Sequence, residues 1–236
     1  MIQNITQNSL ISTMETQMAE IPSGKIEMRD DRKKLQWKVE IKPFLLAKFP
    51  VTQELYFEIT KESPSTFKGN KLPVETVTWK EAILFCNLLS DKVGLTPCYS
   101  IDNAYKEHIT FDTKADGFRL PTEPEWEYAC RAGTKGIRYG TLDLIGWYRG
   151  NSSGRTHEVG LKEPNLWGLY DMLGNVWEWC SDIYDEQVYG AYRVFKGGGW
   201  HDEERGCIVS NRRRSHPISF KIDDLGFRIA RNIKTL

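Results

Sequence analysis

Two carboxylates, Asp171 and Glu178, stand seven residues apart on either side of a Gly174-Asn175 turn. A turn of that kind leaves backbone carbonyls free to point inward. Calcium, a hard cation, takes mixed shells of carboxylate and carbonyl oxygen. The same spacing equally suits a plain hairpin turn that sends Trp177 and Trp179 into a core. A second group follows the strand-like Arg193-Val194-Phe195. There Gly197-Gly198-Gly199 leads into Trp200-His201-Asp202-Glu203-Glu204, with Cys207 just beyond. Three acids make poor company for phosphate, so the glycines read as a bulge or a close backbone approach. Asp202, Glu203, Glu204, His201 and Cys207 could form a mixed acid–base or metal site. Acid–base work needs a shifted pKa, which only a fold can supply. Cys207 could equally be an inert, half-buried thiol, since its sequence neighbourhood establishes no depressed pKa.

Other chemistries are excluded by what is missing. The chain has no G-x-S-x-G, phosphate loop, H-E-x-x-H or helix-opening G-x-G-x-x-G. His108, His157, His201 and His216 show no ligand spacing on a helix, which argues against a histidine-held zinc or iron. Lys+Arg and Asp+Glu each number 32, so no global field pulls the chain onto nucleic acid or anionic lipid. The local run Arg212-Arg213-Arg214 reads as a strand with buried or paired guanidiniums. A peptide or a small polar metabolite is the expected partner, with neither nucleic acid nor membrane. No window approaches the ~18 apolar residues that span a bilayer. Met1 to Ser23 lacks the pattern of a secretory signal. Five scattered cysteines, an odd number, suggest reduced thiols and a cytoplasmic location.

The elements that must position these residues are legible in part. Residues 1–19 are rich in Gln, Asn, Ser and Thr and read as a flexible extension, leaving 20–236 as one domain. Alternation predicts strands over Lys25–Met28 and from Trp37 to Ala47. Thr52 caps a short helix over Gln53–Ile59. Thr78-x-x-Glu81 is a capping box, followed by an apolar stripe at Ala82, Phe85, Cys86 and Leu89 and a stop at Gly94. Cys86 on that stripe reads as a small core residue. Thr122-x-x-Glu125 repeats the box, with Trp126, Ala129 and Cys130 facing inward and Gly133 ending the helix. Past Gly133, Gly, Trp, Asn and Asp recur every few residues, giving short strands among long ordered loops. Two helices early and irregular β structure late predict an α+β class rather than alternating βαβ units. Loops this long are normally functional or ion-held.

Taken together, these segments resemble the formylglycine-generating enzyme, or sulfatase-modifying factor, family. The matching strings are Ile21-Pro22-Ser23-Gly24, Phe49-Pro50-Val51-Thr52, Leu72 to Trp79, Gly117 to Ala129, Asn165 to Trp179, Arg193 to Trp200 and Gly226-Phe227-Arg228. They run in order from about residue 20 to the carboxyl end. The resemblance implies a C-type-lectin-like α+β fold of low regular secondary structure, with two main helices packed on short antiparallel strands. It also implies a structural calcium held by Asp171, the carbonyls of Gly174 and Val176, and Glu178. A second family calcium would begin at Asn151, but the loop from Asn151 to Val159 is short for it.

The resemblance breaks at the catalytic pair. The family's oxidases bind copper(I) between two cysteines five residues apart, and the corresponding positions here are Asp202 and Cys207. Soft copper(I) selects soft thiolates, so a carboxylate is a poor substitute and copper is doubtful. A serine of the family's oxygen pocket corresponds to Gly199, and Trp177 matches a tryptophan near it. Two functions compete. One is a calcium-stabilised binding or accessory module whose ligand contacts come from Trp177 and from the Trp200–Asn211 face, at Trp200, His201, Glu203 and Glu204. The other is an oxygen-dependent oxidoreductase of altered chemistry, with Cys207 and Asp202 as catalytic candidates, acting on a cysteine-containing peptide or an amino-acid-derived metabolite. Orthodox cysteine-to-formylglycine oxidation ranks third.

Overall fold

A computed structural model describes residues 16–101 and 109–233. His108 lies outside the described residues. Its strands are β1 (Met18–Ile21), β2 (Gly24–Asp30), β3 (Leu35–Ile41), β4 (Phe44–Ala47), β5 (Tyr99–Ile101), β6 (Ile109–Phe111), β7 (Phe118–Arg119), β8 (Trp177–Ile183), β9 (Arg193–Lys196), β10 (Arg212–Ser215), β11 (Leu225–Gly226) and β12 (Ala230–Asn232). The helices are α1 (Gln53–Thr60), α2 (Trp79–Val93), α3 (Glu123–Arg131) and two single turns, α4 (Leu142–Ile145) and α5 (Glu186–Tyr189). This is the α+β class expected. One sheet has the order β1-β4-β12-β7 and the other β10-β9-β8-β11, with β2-β3 and β5-β6 as separate hairpins. Among the described residues, no helix is long and apolar enough to cross a membrane.

Helix starts follow the local code. The Thr52 hydroxyl accepts from Leu55 N–H, and both predicted capping boxes are formed reciprocally, at Thr78/Glu81 and Thr122/Glu125. Gly94 ends α2 in the left-handed region at φ +78°. The stripe Ala82, Phe85, Cys86, Leu89 is fully buried. Two boundaries differ from expectation. The strand predicted from Trp37 to Ala47 breaks after Ile41, at Lys42-Pro43, into β3 and β4; proline has no N–H to give a ladder. β1 starts at Met18, which pairs with Ala47, so the ordered strand reaches two residues into the predicted extension. Its sequence is too short for alternation to show, and the pairing with β4 fixes it.

Two tryptophans tie α2 and the residue before its cap to β8. Trp79 on α2 donates to the Cys180 carbonyl at 2.9 Å, and Trp179 on β8 donates to the Val77 carbonyl at 3.0 Å. α3 lies on β8 and β9 and brings an unexpected polar contact with it. Glu123 and Glu127 are buried because Lys196 of β9, itself fully enclosed, reaches Glu127 at 2.9 Å and Glu123 at 3.6 Å. Arg131 and Arg212 complete the neutralisation, at 2.8 Å and 2.7 Å respectively.

Candidate functional site

Strand β8 enters the centre of its sheet with Trp177 and Glu178 at its first two positions, so both are anchored before any loop chemistry begins. β9 then ends in the three glycines, and two of them are required by close approaches. Gly198 has φ +82°, and a Cβ there would lie 2.6 Å from the Cys207 sulfur. A Cβ on Gly199 would come 2.8 Å from Asp224 Oδ2. The backbone thus threads between a thiol and a carboxyl, which bears out the close-approach reading of the run.

Asp202 is held on three sides. Its Oδ2 accepts from Gly199 N–H at 2.9 Å and from Trp177 Nε1 at 2.5 Å, while Oδ1 faces Arg213 Nη2 at 3.0 Å. The Arg213 guanidinium lies 4.6 Å from the centre of the Trp177 ring, a cation–π contact that orients it. Cys207 is fully buried rather than half-buried, and burial, with Asp202 adding to it, pushes its pKa up to about 12. At neutral pH it is a thiol, a weak nucleophile and a weak metal ligand. Asp224 completes the group. Burial, then the charges of Asp202 and Asp223, push its carboxyl up to about 7, and its buried Oδ1 has no hydrogen-bond partner.

Beside Asp202 and Arg213 opens a polar cleft of about 440 Å³, lined by these two with Arg149, Arg205, His201 and Glu203 among others. Three of the expected ligand-contact and catalytic residues, His201, Asp202 and Glu203, therefore meet in one place. Four others do not, and Cys207, fully buried, is one of them. Trp177 is fully enclosed and borders the cleft only through its contacts with Asp202 and Arg213. Trp200 turns aside, its ring edge-on to Phe67 at 5.4 Å and its Nε1 on the Asp223 carbonyl. Glu204 is exposed but outside the cleft. Arg213 and Asp224 were missed as site residues. The arginine triplet does form a strand with paired guanidiniums, as expected, but only pleating shows which of the three faces the cleft.

The Asp171–Glu178 turn is a separate, more deeply buried group. Asp171, Gly174 and Asn175 all have positive φ, at 53°, 79° and 61°. Asn175 ties the turn to a neighbouring loop by bonding His157 N–H and C=O through its amide, both at 3.0 Å. Asp171 accepts from Gly160 N–H at 2.7 Å, and burial pushes its pKa up to about 6, as befits a carboxylate with too little positive charge nearby. Glu178 is better neutralised: Arg228 grips it with Nε on Oε2 at 2.7 Å and Nη2 on Oε1 at 2.8 Å, and Trp126 Nε1 adds a bond at 2.7 Å. A cation bound here would supply the positive charge that burial denies Asp171, whereas Glu178 is already engaged by Arg228. Among the described residues no three His, Cys, Asp or Glu side chains converge as a metal cage. A cation here would lean on the Gly174 and Val176 carbonyls. Asn151 is committed elsewhere, accepting from Tyr148 N–H and donating to the Gly146 carbonyl.

Residues 6–233 match the sulfatase-modifying factor enzyme 1-like domain. The chain is 33% identical over 224 residues to a protein named chaperone protein LppX of Paenibacillus barcinonensis, covering 80% of this chain and 78% of that one. It is 28% identical over 272 residues to a Bos taurus protein named inactive C-alpha-formylglycine-generating enzyme 2, covering 90% and 87%. Among solved structures, Treponema denticola variable protein 1 superimposes with a TM-score of 0.83 at 34% identity, covering 92% of this chain and 95% of that one. These likenesses bear out the C-type-lectin-like α+β fold expected from the motif order.

Proposed function

This chain belongs to the sulfatase-modifying factor enzyme 1-like family, and from that premise we propose that it is a binding or accessory module rather than an orthodox formylglycine-generating oxidase. The observation that carries this reading is the donor set at Asp202 and Cys207. Copper(I) calls for two soft thiolates. Here one position offers the hard oxygens of Asp202, already engaged by Trp177, Gly199 and Arg213, and the other offers a protonated, buried thiol at Cys207. The residues do not fit that metal, and no oxidative step is derived through it. What remains is an open polar cleft on rigid, hydrogen-bonded loops, a suitable surface for a peptide or a small polar ligand. Relatives named a chaperone and an inactive enzyme support the same reading. The test is direct: protein incubated with copper and a Cys-x-Pro-x-Arg peptide is expected to form no aldehyde by mass spectrometry. An aldehyde product would overturn the proposal.

A second reading draws on Asp224. A carboxyl pushed up to about 7 beside a well-held carboxylate is the pattern of an acid–base pair. It would suit an enzyme of altered chemistry acting on a cysteine-containing peptide or an amino-acid-derived metabolite. Turnover that disappears in Asp224→Asn would favour it.

Calcium enters as a structural element of the same proposal, held by Asp171 and the Gly174 and Val176 carbonyls with Glu178 as the fourth donor. An ion bound only by the folded state adds roughly 2.7 kcal/mol when present at a hundred times its Kd. Chelation is therefore expected to lower Tm by about 5–10 °C in a chain of this size. A Tm unmoved by chelator would remove calcium from the description. The five cysteines are all free thiols, which supports a reducing compartment such as the cytoplasm.

A further inference from the structure

Hairpin β2-β3 stands by itself as a two-stranded sheet, with β2 on one side of β3 and no strand on the other. Among the described residues, no hydrogen bond joins residues 35–41 to any segment but β2. Leu35, Gln36, Trp37, Lys38 and Glu40 are all exposed, so this edge carries no cover. The inner face of the hairpin is buried on one strand and bare on the other. Ile26 and Met28 of β2 are enclosed, and opposite them stand Val39 and Trp37. Trp37 is nevertheless 40% exposed and Leu35, further along, 55%. Large apolar groups on an uncovered strand edge mark a place where a further strand pairs. On the outer face the register sets Lys25 opposite Glu40 and Glu27 opposite Lys38, and the first pair meets at 2.9 Å.

We propose that the free edge of β3 binds β3 of a second copy of this chain, antiparallel, about a two-fold axis at Val39. Charge selects that partner and that register. With the axis at Val39, Lys38 of each copy lies directly opposite Glu40 of the other. Across the four strands one row then reads Lys25, Glu40, Lys38, Glu27, with signs alternating throughout, and the axis repeats it in reverse. Moving the axis to Lys38 sets two lysines face to face, and moving it to Trp37 leaves Lys38 opposite the uncharged Gln36. A lysine on an edge strand ordinarily deters pairing. Here it meets a carboxylate only when the incoming strand is another β3. The inner face agrees with the same register. Val39 meets its own counterpart, and Trp37 comes opposite Ile41, which with Val39, Phe44 and Phe111 walls a cleft of about 550 Å³. Each copy would thus bring an exposed indole to the other's cleft.

The test is sedimentation of the full chain over a concentration series, where a reversible monomer–dimer equilibrium is expected. Lys38→Glu and Glu40→Lys each turn two attractive contacts into two repulsive ones, and each should weaken dimerisation about tenfold, since like charges directly opposite destabilise a strand pair. Both positions are exposed, so neither change disturbs the core. Mixed in equal amounts, the two variants should recover association as a heterodimer, because each supplies the charge the other lacks. Val39→Cys checks the axis independently: directly opposed cysteines lie within disulfide reach and should cross-link on mild oxidation, whereas Trp37→Cys should not. A chain that sediments as a monomer at every concentration would overturn the proposal and leave the edge to a strand from a different protein. A dimer that both charge variants leave intact, a mixture without recovery, or a Val39→Cys variant that fails to cross-link would each overturn it too. The proposal stands apart from the binding-module reading, and none of these outcomes bears on the copper assay.

Discussion

Replacing Glu178 with alanine is expected to destabilise the protein by about 3–5 kcal/mol, because it leaves a buried guanidinium without its counter-charge. Arg228 and Glu178 are both enclosed, at 0% and 1% side-chain exposure. Arg228 also donates to the carbonyls of Ala47 and Tyr170, each at 2.8 Å, so one side chain joins β4, β8 and the loop before the Asp171 turn. In a chain of this length the loss corresponds to a fall in Tm of roughly 10 °C. The double variant Glu178→Met/Arg228→Met should recover only part of it, since it removes both buried charges but leaves the Ala47 and Tyr170 carbonyls and Trp126 Nε1 without those partners. Urea unfolding of the single and double variants measures both quantities. A single-variant loss below about 1 kcal/mol would show that the pair is solvated or replaceable. The same comparison separates the pair from calcium: chelator should shift the wild type, and Glu178→Ala should fall further than chelation alone takes it.

Stability is expected to decline as pH rises from about 4 to about 7. The cause is a set of carboxyls that folding makes harder to ionise. Asp224 is pushed up to about 7 and Asp182 to about 6, in each case chiefly by burial. A group whose folded pKa exceeds its unfolded value binds more protons in the native state, so stability falls with pH between the two values and levels off above the higher one. For Asp224, carried from the ordinary carboxylate range to about 7, this corresponds to roughly 4 kcal/mol. Glu58 and Asp185 have the opposite sign. Each is held below its ordinary range first by hydrogen bonds from lysine, Lys92 and Lys33 respectively, and each costs stability only in more acid solution. The urea midpoint should therefore pass through a maximum near pH 4–5 and be lower at pH 8. Asp224→Asn should flatten the slope between pH 5 and 7. A midpoint that climbs steadily from pH 5 to 8, with Asp224→Asn indistinguishable from wild type, would place Asp224 in contact with water instead.

Much of the scaffold was legible because the signals were local. Capping boxes at Thr78 and Thr122 need only four residues each, and both form as read. The period of Ala82, Phe85, Cys86 and Leu89 needs only one helix face. The family motifs, being long and in order, carried the fold across loops that no periodicity could describe. The placement of Asp202 and Cys207 at one site was also readable, through their position after the glycine run.

The amino-acid sequence by itself determined which groups are available: a lone cysteine after the glycines, a carboxylate where a second sulfur would serve copper, and acid–glycine–acid spacing at the turn. Only the tertiary structure decided their states. Arg228 lies fifty residues from Glu178 and Asp224 twenty-five from Gly199, yet each meets its partner across packed strands. Burial and the nearness of other charges set whether a carboxyl keeps its proton, whether a thiol reacts and whether an arginine is spent inside or left facing a cleft. Those are properties of distance and exclusion of water, and no window of sequence contains them.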